Sequence, residues 1–152
     1  MTTAYEVPAD LLIDKLVEHI KNNVAQVTPP EWAFYVKTGS HAERPPQDKN
    51  WWYKRAASLI RKIYLYGPIG IGDLRGMYGG AKTTGYAFKH HRDSGGAAVR
   101  KVVQQLESAG LVTKLEKRGR ILTGKGRSVV DRTSKEILVE IAKNQPELKK
   151  YL

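Results

Sequence analysis

The run Asn50-Trp51-Trp52-Tyr53-Lys54-Arg55-Ala56-Ala57-Ser58-Leu59-Ile60-Arg61-Lys62-Ile63-Tyr64 constrains the fold more than any other stretch. Asp48 or Asn50 is available to cap it as a helix. At 100° per residue, Trp52, Ala56, Leu59, Ile60 and Ile63 fall within an arc of about 100°. That stripe has to be buried. Lys54, Arg55, Ser58, Arg61 and Lys62 occupy about 120° on nearly the opposite side. No acid lies anywhere from Trp51 to Gly72. Four cations on one helical face without a counter-charge repel one another, so the pattern predicts something anionic lying on that face.

The charge balance of the whole chain agrees. Lys+Arg number 26 against 15 Asp+Glu, a formal net charge of +11 over 152 residues. Residues 1–50 hold 5 basic and 7 acidic side chains, residues 51–132 hold 17 and 5, and residues 133–152 hold 4 and 3. The excess is concentrated in the middle, which marks 51–132 as the part that meets a polyanion, chiefly nucleic acid. Residues 1–50 and 133–152 are then supporting elements of one domain. With no cysteine, a disulfide framework, a thiolate metal site and a cysteine nucleophile are excluded. No apolar run approaches the ~18 residues of a membrane span. The amino terminus lacks the basic-then-apolar pattern of a secretory signal. A soluble, cytoplasmic protein is expected.

Leu12, Leu16, Ile20 and Val24 recur every four positions and predict a helix from Pro8 to about Gln26. Pro29-Pro30 stops it, and Pro30-Glu31-Trp32 can open a short second helix. Residues 39–50 read as a loop. After the central helix, Asp73 caps a short helix to Tyr78. The stretch from Gly79 to Gly96 reads as a flexible, glycine-rich basic loop with Lys82, Tyr86, Phe88, Lys89, His90, His91 and Arg92. A helix from about Ser94 to Ala109 turns Val99, Val102, Val103 and Leu106 inward and Arg100, Lys101, Gln104 and Gln105 outward, and Gly110 ends it. Residues 111–116 and 120–123 form two strands around Lys117-Arg118-Gly119, a hairpin with a basic tip. A last helix runs from Thr123 or Gly124 to Asn144 on Val129, Val130, Thr133, Ile137, Leu138 and Ile141. This order predicts a mainly α fold: a winged helix-turn-helix core with a small β-hairpin and additional N-terminal and C-terminal helices.

Catalytic motifs fail on inspection. Gly119-Arg120-Ile121-Leu122-Thr123-Gly124-Lys125-Gly126 nearly spells a phosphate loop, but Gly126 stands where a hydroxyl must hold magnesium. Gly70-Ile71-Gly72 begins a dinucleotide fingerprint, yet Arg75 occupies the third glycine position. Adjacent His90 and His91 cannot both face one metal on a regular helix or strand. Carboxylates are not paired in the basic region, so acid–base catalysis has no candidate site. A binder without enzyme activity, cofactor or metal is expected. Among the aromatics, Trp52, Tyr64 and Tyr78 are assigned to the core, and Tyr86 and Phe88 to contact with unpaired RNA.

The runs NWWYKRAASLIRKIYLYG, GIG, MYGG and RILTGKG, with a basic loop and a helix ending at Leu106-Glu107 between the last two, resemble the small-subunit ribosomal protein family nineteen-e of archaea and eukaryotes. The resemblance extends from Pro30-Glu31-Trp32 to the last helix, and the chain length looks more like an archaeal member. It implies a winged-helix protein in the head of the small ribosomal subunit, needed for subunit maturation. It also implies ribosomal RNA contacts at Trp51, Arg55, Ser58 and Arg61. The loop after Tyr78-Gly79-Gly80 and the tip at Arg118, Gly119 and Arg120 match the family's other basic surfaces. Pattern and resemblance together nominate Trp51, Lys54, Arg55, Ser58, Arg61, Lys62, Lys82, Lys89, His90, His91, Arg92, Arg100, Lys101, Lys117, Arg118 and Arg120 as RNA-binding. Small-subunit ribosomal RNA and neighbouring small-subunit proteins are the expected partners, with no membrane, and the free chain is expected to be a monomer. The winged motif alone points elsewhere, to helix 94–109 in a DNA major groove and a transcription regulator.

Overall fold

The computed structural model describes residues 2–151. Its centre is α2 (Trp51–Tyr66), in which Trp52, Ala56, Leu59, Ile60 and Ile63 are buried as their spacing requires. The buried arc is wider than the stripe alone, because Trp51 and Ala57 are buried too. α1 (Ala9–Asn23) lays Leu12, Leu16, Val17 and Ile20 against α2. It ends three residues before the expected Gln26, and Val24 and Val27 continue into the core beyond it. Glu31–Phe34 form a 3-10 turn that buries only Ala33.

Trp52 ties this layer to the next. Its indole ring is fully buried and lies edge-on to Trp51 and Trp32, at centroid distances of 5.3 and 5.5 Å. Its N–H donates to Gln105 Oε1 at 2.8 Å, and Gln105 Nε2 donates to the Thr28 carbonyl at 2.7 Å. Gln105, expected on the outer face of its helix, is therefore an inward clamp. A buried indole N–H needs an acceptor, and this amide supplies it.

The winged-helix order follows. α3 (Ile71–Met77) is opened by Gly70, with Asp73 inside the helix at its third position, where its carboxylate accepts from the Gly70 N–H at 3.4 Å. α4 (Gly96–Ser108) buries Val99, Val102, Val103 and Leu106. Gly110, with φ +73, closes it by donating to the Glu107 carbonyl while Leu111 donates to Leu106. A left-handed residue at this position lets the last carbonyls find partners. β3 (Val112–Leu115) and β4 (Gly119–Leu122) pair antiparallel, with Leu115 opposite Gly119. Ile69 adds a one-residue third strand through reciprocal hydrogen bonds with Arg120 of 3.1 and 2.8 Å. Gly119 has φ +111, and a Cβ there would collide with the Ile69 carbonyl, so glycine is required. The Thr123 hydroxyl then caps α5 (Gly124–Asn144) by accepting from the Gly126 N–H at 3.2 Å.

Between α3 and α4 the structure departs from expectation. Residues 79–96 are not an irregular loop but contain a second hairpin, β1 (Gly80–Thr84) paired with β2 (Ala87–Arg92) around a turn at Gly85-Tyr86. All six residues of β2 are exposed, so no face is buried. Without a buried face, the apolar alternation that reveals a strand is absent from the sequence.

One hydrophobic cluster runs from Ala4 through α1, α2 and α4 to Ile137 of α5. Among the described residues, no helix is long and apolar enough to cross a membrane.

Candidate nucleic-acid interface

The polar face of α2 is built around one ring. Tyr78, at the end of α3, lies beneath it and donates its hydroxyl to Ser58 Oγ at 2.7 Å. The Arg55 guanidinium stacks on that ring with its carbon 4.0 Å from the centroid, and Lys62 Nζ lies 5.0 Å from the same centroid. Cation–π contact stabilises each by about 0.5–2 kcal/mol, more when water is excluded. Burial opposes it, pushing the Arg55 guanidinium below its ordinary value. Lys62 is pushed down in the same way, first by burial and then by Arg61 and Arg55. Arg55 Nη1 and Arg61 Nε are both buried with no protein acceptor. Charged donors left unpaired within the protein are costly for the fold. Tyr78, assigned to the core from sequence, does pack against it and is at the same time the floor of this platform.

Not every cation predicted on this face is free. Lys54 Nζ forms an ion pair with Asp48 Oδ2 at 2.6 Å. That contact holds Lys54 above and Asp48 below their ordinary values. Asp48 precedes the helix, outside the acid-free run. Trp51 is 9% exposed and its indole N–H donates to the Ala33 carbonyl at 3.2 Å, so it supports the helix start rather than offering a ring to RNA.

The other nominated residues are distributed over three further elements. The β1–β2 hairpin carries Lys82, Lys89, His90, His91 and Arg92. His91 Nε2 lies 3.4 Å from Asp93 Oδ1, while His90 and Arg92 are exposed. Arg100 and Lys101 are exposed on α4. At the β3–β4 tip Lys117 and Arg118 are exposed. Arg120 is not a tip residue: its Nε donates to Glu107 Oε1 at 2.9 Å, with both side chains largely covered. It fastens the wing to the end of α4. Arg55, Ser58 and Lys62 meet at Tyr78, and Gly79-Gly80 leads directly from that cluster into β1.

A further basic surface escaped the sequence reading. Arg127, Arg132 and Lys135 line an open groove beside Thr2 and Ser128 at the start of α5. Their signal was the polar arc of that helix, opposite the apolar stripe used to identify it. Asp131 in the same groove accepts the Tyr64 hydroxyl at 2.7 Å. Burial and that carboxylate push the Tyr64 phenol up to about 12. An unfolded phenol titrates near pH ~10, so its contribution to stability is intact below that pH and is lost as pH rises toward about 12. Tyr64→Phe is expected to show a smaller fall in Tm than the parent over that window. Parallel melting curves for the two proteins would remove this role.

The chain is thus a winged-helix scaffold that carries a cationic platform on α2, an exposed basic hairpin and a basic wing tip, a charge distribution of the class found in nucleic-acid-binding proteins. Among the described residues, no group of three or more His, Asp or Glu is placed to hold a metal. Residues 3–140 match the ribosomal protein S19e family. The chain is 51% identical to small ribosomal subunit protein eS19 of Aeropyrum pernix over the full length of both. It is 41% identical to the eS19 of Haloarcula marismortui over 99% of each chain. It is also 38% identical to eS19A of Schizosaccharomyces pombe over 89% of this chain and 93% of that one. This chain belongs to the ribosomal protein S19e family, and its end-to-end matches to archaeal members make it archaeal-like.

Proposed function

We propose that this chain is a structural, non-catalytic protein of the cytoplasmic small ribosomal subunit. It binds ribosomal RNA in the head and supports subunit maturation alongside neighbouring small-subunit proteins. Residues 51–132 form its RNA-binding region, supported by residues 1–50 and 133–152 within one domain. The observation that carries this reading is the polar face of α2, where Arg55 and Lys62 lie over Tyr78 and, among the described residues, neither they nor Arg61 of the same helix has an acidic partner. Phosphate oxygens pair with such cations, and recognition of this kind positions RNA by backbone and shape. Lys82, Lys89, His90, Arg92, Arg100, Lys101, Lys117 and Arg118 add charge around it. The platform favours RNA over the regulator reading, because α4 presents only Arg100 and Lys101 to a groove.

Sedimentation of cell lysate on sucrose gradients tests this. The chain is expected to co-migrate stoichiometrically with the small subunit in low salt and to be released in high salt, as counterions compete for phosphate. The double variant Arg61→Gln/Lys62→Gln, which removes both charges without bringing a carboxylate to Tyr78, is expected to fold and to remain at the top of the gradient. Parental distribution of this variant would remove the platform as the RNA contact. A chain found in soluble fractions at both salts, dimeric and preferring duplex DNA, would replace the ribosomal reading with the regulator.

A further inference from the structure

We infer that the β1–β2 hairpin is a binding site for unpaired nucleotides, with Tyr86 and Phe88 as the surfaces on which bases stack. The inference rests on the RNA-binding reading above and names the form of RNA that this element takes. Tyr86 is 111% exposed and Phe88 89%, the two most exposed large hydrophobic side chains among the described residues. Neither belongs to the hydrophobic cluster or to a ring pair within the protein. Lys82 stands opposite His90 in the register. Alternation therefore gathers His90 and Arg92 with Lys82 on one face, and the register shift between Lys82 and Thr84 sets Phe88 in the irregular stretch between that face and Tyr86 in the turn.

Charge selects the occupant. No acid occurs from Leu74 to Arg92, and the next one, Asp93, is occupied by His91. A protein neighbour would meet a cationic ribbon with no acidic contact to offer its own Lys and Arg, whereas a nucleic acid matches both the cations and the rings. Phosphates alone would need no rings. In a duplex the base faces are already stacked on one another, so exposed rings flanked by cations fit a strand whose bases are free. A two-stranded hairpin with both faces in water is marginally stable by itself. This one is anchored at its base, where Gly39 bridges Ser94 and the Gly95 N–H donates to the Thr38 carbonyl at 2.7 Å. Its tip is left free to fit a strand.

The test uses the full chain and a short single-stranded RNA containing 2-aminopurine, whose fluorescence responds to stacking, beside a duplex of the same sequence. The parent is expected to change the single-strand signal. Tyr86→Ala/Phe88→Ala is expected to abolish that change and weaken single-strand binding at least about tenfold. Duplex affinity and the salt dependence should stay as in the parent, since no charge is removed. Tyr86→Phe/Phe88→Tyr, which keeps both rings, is expected to restore the signal. Unchanged single-strand affinity and fluorescence in the alanine variant would overturn the inference and assign the rings to a protein neighbour. If that happened while the chain still co-sedimented with small subunits, the ribosomal reading would stand. Intact stacking by a chain absent from subunits would sink that reading and not this one.

Discussion

Trp52→Ala is expected to lower the melting temperature by roughly 10 °C or more, the largest stability loss of any single substitution considered. The indole is fully buried and braces Trp51 and Trp32. Removing a core aromatic costs about 3–5 kcal/mol. In a domain of this size each kcal/mol corresponds to about 2–4 °C. The Gln105 amide, which accepts from the indole N–H, also loses its partner, adding about 1–3 kcal/mol of unmet desolvation. Trp52→Phe separates the two effects, since it retains a ring and removes only the donor. Thermal melts of both variants check this, and a shift of only a few degrees for Trp52→Ala would mean that the layer between α2 and α4 is held elsewhere.

Arg55→Met is expected to have opposite effects on stability and on RNA binding. The guanidinium is covered, stacked on Tyr78 and has a buried Nη1 without an acceptor. Replacing a buried, imperfectly satisfied charge by an apolar side chain of similar reach is often neutral or stabilising. The melting temperature of Arg55→Met should therefore equal or exceed that of the parent. Affinity for structured RNA should fall at least about tenfold, since a charged hydrogen bond to phosphate contributes about 1.5–3 kcal/mol. Arg55→Glu, in contrast, replaces the stacked cation by a carboxylate against the negative face of the Tyr78 ring and is expected to melt below the parent. The pairing of a stable Met variant with weakened RNA binding identifies Arg55 as kept for its ligand. A destabilised Met variant would show instead that the guanidinium is a structural brace.

The elements visible in the sequence were those with a buried face. α2, α4 and α5 each carry an apolar stripe that dictates both helix and orientation, and the wing shows Val112 and Leu122 inward around a glycine-bearing turn. β1 and β2 have no such face, so Lys82 through Arg92 looked like a loop. Trp51 was nominated by the family resemblance and by helical spacing lies within the polar arc, and only the tertiary structure covers it, against Trp52 and with its indole N–H donating to the Ala33 carbonyl.

By itself the sequence determined the winged-helix order, the family and the class of partner, because periodicity, caps and the segregation of charge are local properties or simple sums. Which cations remain without an acidic partner was decided only by tertiary structure. Lys54 is taken by Asp48 and Arg120 by Glu107, while Arg55 and Lys62 lie over Tyr78, and Arg55 Nη1 and Arg61 Nε have no acceptor within the protein. Gln105 turns inward for a tryptophan 53 positions away. Helical spacing relates residues three or four apart on one element. Partners brought together from different elements exist only once burial has packed those elements, and it is their pairing that leaves some charges satisfied and others open to a ligand.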